Sequence, residues 1–152
     1  MIAHPQSIHR FSFRVYYEDT DAGGVVYHAN YLRYAERART EALREAGIPH
    51  ARLVERFNLM FVVHRAEIDY VRPAILDDLL VVETEIMDVG GATVVLRQTV
   101  RGSAGICATV SIKLACVRIG ENRPARIPPE WREALAALRR DPAQEPSTGP
   151  GV

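Results

Sequence analysis

Residues 30 to 47 read NYLRYAERARTEALREAG, and this stretch decides the fold. Leu32, Ala35, Ala38, Ala42, Leu43 and Ala46 recur at three- and four-residue steps, while Arg33, Glu36, Arg37, Arg44 and Glu45 fall mostly elsewhere. That period predicts one long amphipathic helix. Asn30 is placed to cap its start, Gly47 to close its end in a left-handed conformation, and Pro49 forbids continuation. Because the inward stripe is largely alanine, the helix can approach its support closely. It is expected to be enclosed by a sheet.

The sequence on either side supplies that sheet. Before the helix, Phe11, Phe13, Val15 and Tyr17 alternate with Ser12, Arg14, Tyr16 and Glu18, the pattern of a strand with one face suited to burial. After it come four runs rich in Val, Ile and Thr, at about 59–71, 79–87, 93–101 and 106–117. The turns Asp88-Val89-Gly90-Gly91 and Gly102-Ser103-Ala104-Gly105 are short, which implies antiparallel hairpins. Pro73 to Asp78 forms a longer link, and Pro128, Pro129 and Trp131 open a short helix reaching roughly Arg140. The expected fold class is α+β: a curled, antiparallel, five-stranded sheet around one long central helix, with a short C-terminal helix. One domain over residues 1–140 is expected. Residues 141–152, DPAQEPSTGPGV, have little to bury and are expected to be a disordered tail.

Composition excludes several function classes. Nineteen basic and nineteen acidic side chains balance, so no nucleic-acid partner is implied. No segment has the length and apolarity of a spanning helix, and the N-terminus lacks a secretory apolar core. Cys107 and Cys116 lie nine apart in one predicted strand, on opposite faces, and are expected to be buried thiols rather than a disulfide. Cytoplasm is the expected compartment. Histidine and cysteine spacings give no metal-ligand pattern, so no metal or cofactor is expected.

Functional residue types are densest from Tyr16 to Tyr31, YYEDTDAGGVVYHANY. Glu18, Asp19 and Asp21 fall within four residues at a strand-to-helix junction, followed by two glycines and then His28. A helix start presents unpaired amides and partial positive charge, which suits a developing oxyanion. A carboxylate and a histidine beside such amides make a candidate hydrolytic site. The same residues also suit a plain turn-and-cap cluster. Spacing excludes an EF-hand loop, since Gly23 and Asn30 stand where ligands are needed, and no serine sits in a nucleophile elbow.

The run YYEDTDAGGVVYHANYL, followed by ERARTE, resembles the signature of the Tol–Pal-associated acyl-CoA thioesterases, in the 4-hydroxybenzoyl-CoA thioesterase branch of the hotdog superfamily. The likeness continues through FVVHRAEIDYVRPAILDDLL and, more weakly, through RPARIP, covering about 120 residues. It implies acyl-CoA hydrolysis without a cofactor, coenzyme A being part of the substrate. Asp21 matches the family's catalytic carboxylate, acting as nucleophile or general base. Tyr17 and His28 match active-site neighbours, and the His28 amide matches the group that polarises the thioester carbonyl. Asp19 reads as a turn or capping residue, and Glu18 as a surface acid. His64, Arg65, Arg72, Arg97 and Lys113 are candidates to meet coenzyme A phosphates. The resemblance further implies a homotetramer built from dimers, since hotdog sites form between protomers, and action near an inner membrane. The rivals are a hotdog hydratase or dehydratase, whose Asp and His lie five apart rather than seven, and a non-catalytic partner of acyl carrier protein or envelope components.

Overall fold

In the computed structural model, residues 8–139 are described. The first strand, β1, spans Ile8–Arg14, and a single 3-10 turn follows over Tyr17–Asp19. The long helix α1 spans Asn30–Glu45, and a second helix, α2, follows at once over His50–Phe57. Four strands complete the sheet: β2 (Leu59–Tyr70), β3 (Leu79–Val89), β4 (Thr93–Gly102) and β5 (Gly105–Arg118). A last helix, α3, covers Pro129–Ala137. All pairings are antiparallel, in the order β1-β3-β4-β5-β2. This is the α+β arrangement that the sequence predicts, with β1 and β2 as its edges. The expected boundary at residue 140 and the tail beyond it lie outside the described residues.

The helix lies on the sheet through small side chains, as expected: Ala35 and Ala38 are both fully buried. The buried stripe is nevertheless turned from the predicted one. Leu32 is 38% exposed, and Tyr31 and Tyr34 are buried in its place. Each tyrosine has a specific seat. The Tyr31 hydroxyl accepts a hydrogen bond from the Ala74 amide at 3.1 Å, and the Tyr34 ring packs on Phe13 with centroids 4.4 Å apart. A periodicity read from aliphatic residues underweights such half-polar rings.

Two cores result. One gathers Tyr31, Tyr34 and Ala38 with Phe13, Leu80, Val82 and Val100 beneath the first half of α1. The other gathers Leu53 of α2, Trp131 and Leu135 of α3, and Leu96, Val110 and Ile112 of the sheet. Helix α2 is not in the sequence expectation, because Pro49 reads as a stop. It serves instead as the residue before a new helix, where a fixed proline φ suits the entry, and Asn58 in the left-handed region ends that helix. Gly47 takes the left-handed conformation expected of it, with φ +81°. Both cysteines are free and buried.

Gln98 on β4 is fully buried. Its side-chain amide donates to the main-chain oxygen of Ala35 at 2.8 Å and to Thr84 Oγ1 at 3.0 Å, and its oxygen accepts from Arg39 Nη1 at 3.0 Å. One side chain thereby ties the middle of α1 to two strands.

Candidate active site

The strand predicted over residues 11–18 stops at Arg14. Val15 remains buried, but its amide and carbonyl pair with Asp78 and Asp77 of the link before β3. The chain then turns into the 3-10 segment, because the Asp19 carboxylate accepts the Tyr16 amide at 2.8 Å and the Asp19 amide donates back to the Tyr16 carbonyl at 3.0 Å. Asp19 is the capping residue anticipated for it. Tyr17 therefore does not join the buried face with Phe11 and Phe13; its ring is 83% exposed.

Asp21 sits in a tight reversal. Thr20 bridges to Val26, the Asp21 amide donates to the Val25 carbonyl at 2.8 Å, and the Gly24 amide donates back to the Asp21 carbonyl at 3.0 Å. Gly24 holds φ +79°, open at low cost only to glycine. The Gly23 amide donates to Asp21 Oδ1 at 2.8 Å, and a Cβ at Gly23 would lie 3.2 Å from that same oxygen. One carboxylate oxygen is thus held by the main chain. The other has no hydrogen-bond partner among the described residues, and the side chain is exposed.

Val26 enters the core and its amide donates to the Ala74 carbonyl at 2.9 Å, which anchors the returning chain. Tyr27 donates from its amide to the Asp19 carbonyl at 2.9 Å. His28 follows, exposed, with its ring 4.6 Å from that of Tyr27 and edge-on to Tyr70 at 6.3 Å. The Tyr70 hydroxyl donates to the His28 carbonyl at 3.0 Å. Among the described residues the main-chain N–H of His28 makes no hydrogen bond.

The helix start differs from expectation in one respect. Ala29 is the capping position and offers no side-chain cap, while Asn30 is already helical and buried. Its side-chain amide donates backward to the Asp19 carbonyl at 2.9 Å, and its oxygen accepts from Arg33. Asp19, Tyr27, Asn30 and Tyr70 therefore form the frame that carries Asp21 and His28. No hydrogen bond joins Asp21, His28 and Tyr17 to one another, and all three lie at the surface of the chain.

Of the candidates to meet coenzyme A phosphates, Arg97 is committed to Glu85 at 3.0 Å and Arg65 to Glu67. His64 is exposed on β2, and Arg72 lies beside Gly105. Tyr70 and Tyr31, which buttress the turn, carry no local sequence signal, since each reaches its partner across more than forty residues.

Residues 15–135 match the thioesterase-like superfamily. The chain belongs to that family. It is 47% identical over 129 residues to the acyl-CoA thioesterase YbgC of Haemophilus influenzae, covering 85% of this chain and 95% of that one. It is 38% identical over 123 residues to the acyl-CoA thioester hydrolase YbgC of Escherichia coli O157:H7, with 80% and 91% covered. Among solved structures, a probable thioesterase from Bartonella henselae superposes with a TM-score of 0.76 at 38% identity, covering 80% of this chain and 99% of its own. The match spans the Asp21 turn, all of α1 and the sheet from β2 to β5, so this thioesterase-family chain shares the framework on which its candidate site is built.

Proposed function

We propose that this protein hydrolyses acyl-CoA thioesters to the free acid and coenzyme A, with the Asp21 carboxylate acting on the thioester. The observation that carries the reading is the Asx turn at Asp21, which holds one carboxylate oxygen and leaves the other open, in a chain of the thioesterase-like superfamily. A thioester is already activated, so a carboxylate and a carbonyl-polarising donor suffice. The unengaged His28 amide, just before the start of α1, is the donor assigned to the carbonyl oxygen. His28 and Tyr17 orient the reacting species.

Two routes balance. In one, Asp21 adds to the carbonyl carbon, the C–S bond breaks, and the coenzyme A thiolate leaves and is protonated; water then cleaves the aspartyl anhydride. In the other, Asp21 takes a proton from water as hydroxide equivalent adds to the carbonyl, and that proton follows the departing thiolate. A single turnover in heavy-oxygen water distinguishes them, since only the anhydride route can place label in Asp21 itself.

The sheet edges support the assembly proposed here. β1 is short, whereas β2 is long and exposes Val63, His64, Arg65, Ala66 and Glu67. Exposed apolar side chains also surround the turn: Tyr17, Tyr27, Tyr70 and Ile75. A long uncovered edge beside an apolar surface favours pairing with a second copy. The assigned assembly is a two-fold dimer through β2 that encloses the site, with two dimers forming a tetramer. The Tol–Pal link and action near the inner membrane come from the resemblance, a cytoplasmic location from the resemblance and the cysteine usage together, and contact with acyl carrier protein belongs to the rival, non-catalytic reading. Among the described residues no helix is long and apolar enough to cross a membrane.

The test is a steady-state screen across acyl-CoA lengths with a thiol-trapping dye, on protein dialysed against a strong chelator. Turnover that survives chelation supports a metal-free thioesterase. Absence of turnover on every acyl-CoA refutes the reading, and activity restored by one metal refutes its metal-free chemistry.

A further inference from the structure

At the opposite end of α1 from the Asp21 turn, a cavity of about 490 Å³ opens between the last turns of the helix, the start of β1 and the end of α3. Ala42, Leu43 and Ala46 of the helix line it together with Leu96, Leu114 and Leu135. Ala42 lies twelve residues along α1 from Asn30, a rise of roughly 18 Å. This is not the space beside Asp21.

Its wall is mainly apolar; the polar lining is His9, Arg10, Arg39, Glu45 and Thr84, and Arg39 is the cation there without a carboxylate partner among the described residues. Among the described residues the guanidinium makes one hydrogen bond, to the neutral and fully buried Gln98. No carboxylate pairs with it there; Glu36, exposed one turn back, is the acid whose charge acts on it. Burial lowers the guanidinium pKa from its ordinary value, the mark of a cation short of solvation. Around the same cavity, His9 Nε2 lies 2.6 Å from the Glu45 carboxylate, while its Nδ1 is buried without a hydrogen-bond partner among the described residues. Arg10, also on the wall, is held by Glu83 at 3.2 Å.

A roomy apolar cavity with one under-paired cation matches an amphiphile with an aliphatic chain and an anionic head. The reacting end of a thioester is neutral and offers this cation little; a free carboxylate offers it a charge-assisted bond. We propose that this cavity binds a straight-chain aliphatic carboxylic acid, its carboxylate on Arg39 and its hydrocarbon among the helix and sheet side chains. That such acids are the class released by this enzyme rests on the function proposed above; the binding does not.

Calorimetric titration of the full chain with octanoate, dodecanoate and hexadecanoate, without coenzyme A, tests it. Saturable binding, one acid per protomer, should tighten as the chain lengthens. Dodecanol should bind roughly tenfold or more weakly than dodecanoate, reflecting the lost charge-assisted bond. Arg39→Met should erase that difference. Because Arg39 also supports Gln98, Ala42→Phe provides a second variant: it fills the cavity and should abolish acid binding while hydrolysis of a short acyl-CoA continues. Asp21→Ala should bind the acid as wild type does. Equal affinity for acid and alcohol, no saturable binding, or binding indifferent to Ala42→Phe would overturn the proposal. Loss of binding in Asp21→Ala would place the acid in the hydrolytic site and sink this inference while leaving the function standing. Acid binding without turnover of any acyl-CoA would do the reverse.

Discussion

The side-chain amide of Asn30 donates to the main-chain oxygen of Asp19 at 2.9 Å, linking the first turn of α1 to the loop that carries Asp21. Asn30 is buried, so water does not readily replace it. Asn30→Ala should lower kcat by about tenfold, because a small displacement of a reacting group carries a large kinetic penalty. It should lower stability by about 1–3 kcal/mol. Kinetics alongside urea titration check both, and unchanged turnover would separate this hydrogen bond from catalysis.

Asp19→Ala should have the milder kinetic effect of the two acids. Its carboxylate caps the Tyr16 amide, and the expected loss is about 0.5–2 kcal/mol of stability. A larger kinetic loss than that of Asp21→Ala would mean that the reacting carboxylate is Asp19.

Gln98→Ala should be among the most destabilising changes in the sheet. It leaves the Ala35 carbonyl, the Thr84 hydroxyl and Arg39 without their shared partner and opens a cavity between helix and strands. The expected cost is on the order of 3 kcal/mol. A urea midpoint within error of wild type would contradict the role assigned to this amide.

The framework was legible in the sequence because hydrophobic period and turn chemistry are local. Alternation marked the first strand, Val, Ile and Thr content with short turns marked the other four, the three-and-four step marked α1, and Gly47 marked its end. What stayed hidden depends on distant partners. Tyr31 and Tyr34 displace Leu32 from the buried face through contacts with Ala74 and Phe13. Tyr17 leaves the strand face because Asp19 turns the chain first. Asn30 reads as a cap by type, yet its side chain reaches back eleven residues instead. The cavity beside Arg39 forms where β1, α1 and α3 meet, and no local pattern encodes such a meeting.

Stability should fall in alkali. Burial raises the thiol pKa of Cys107 and Cys116 and the phenol pKa of Tyr31. The native state thus holds these protons more tightly than the unfolded chain does. The associated stability is complete below the unfolded values and is lost as pH rises past about 9 and then 10. Urea midpoints measured from neutral pH upward should be level at first and then decline. Iodoacetamide at neutral pH should label neither cysteine until the protein is unfolded. Rapid labelling of native protein would show that these thiols are not buried in solution.

Assembly and activity should be lost together, if the β2 edge builds the site. Replacing Val63, 52% exposed on that edge, with Pro should yield monomers by light scattering and reduce turnover at least tenfold. Active monomers would contradict the dimeric site.

The central claim is tested most directly by Asp21→Ala. The side chain is exposed and leaves no core cavity, so circular dichroism and light scattering should match wild type. Steady-state turnover of acyl-CoA should fall by about 10²–10⁴-fold or more, the range associated with a lost acid–base group. A well-folded, correctly assembled Asp21→Ala protein that turns over acyl-CoA at the wild-type rate would contradict the account.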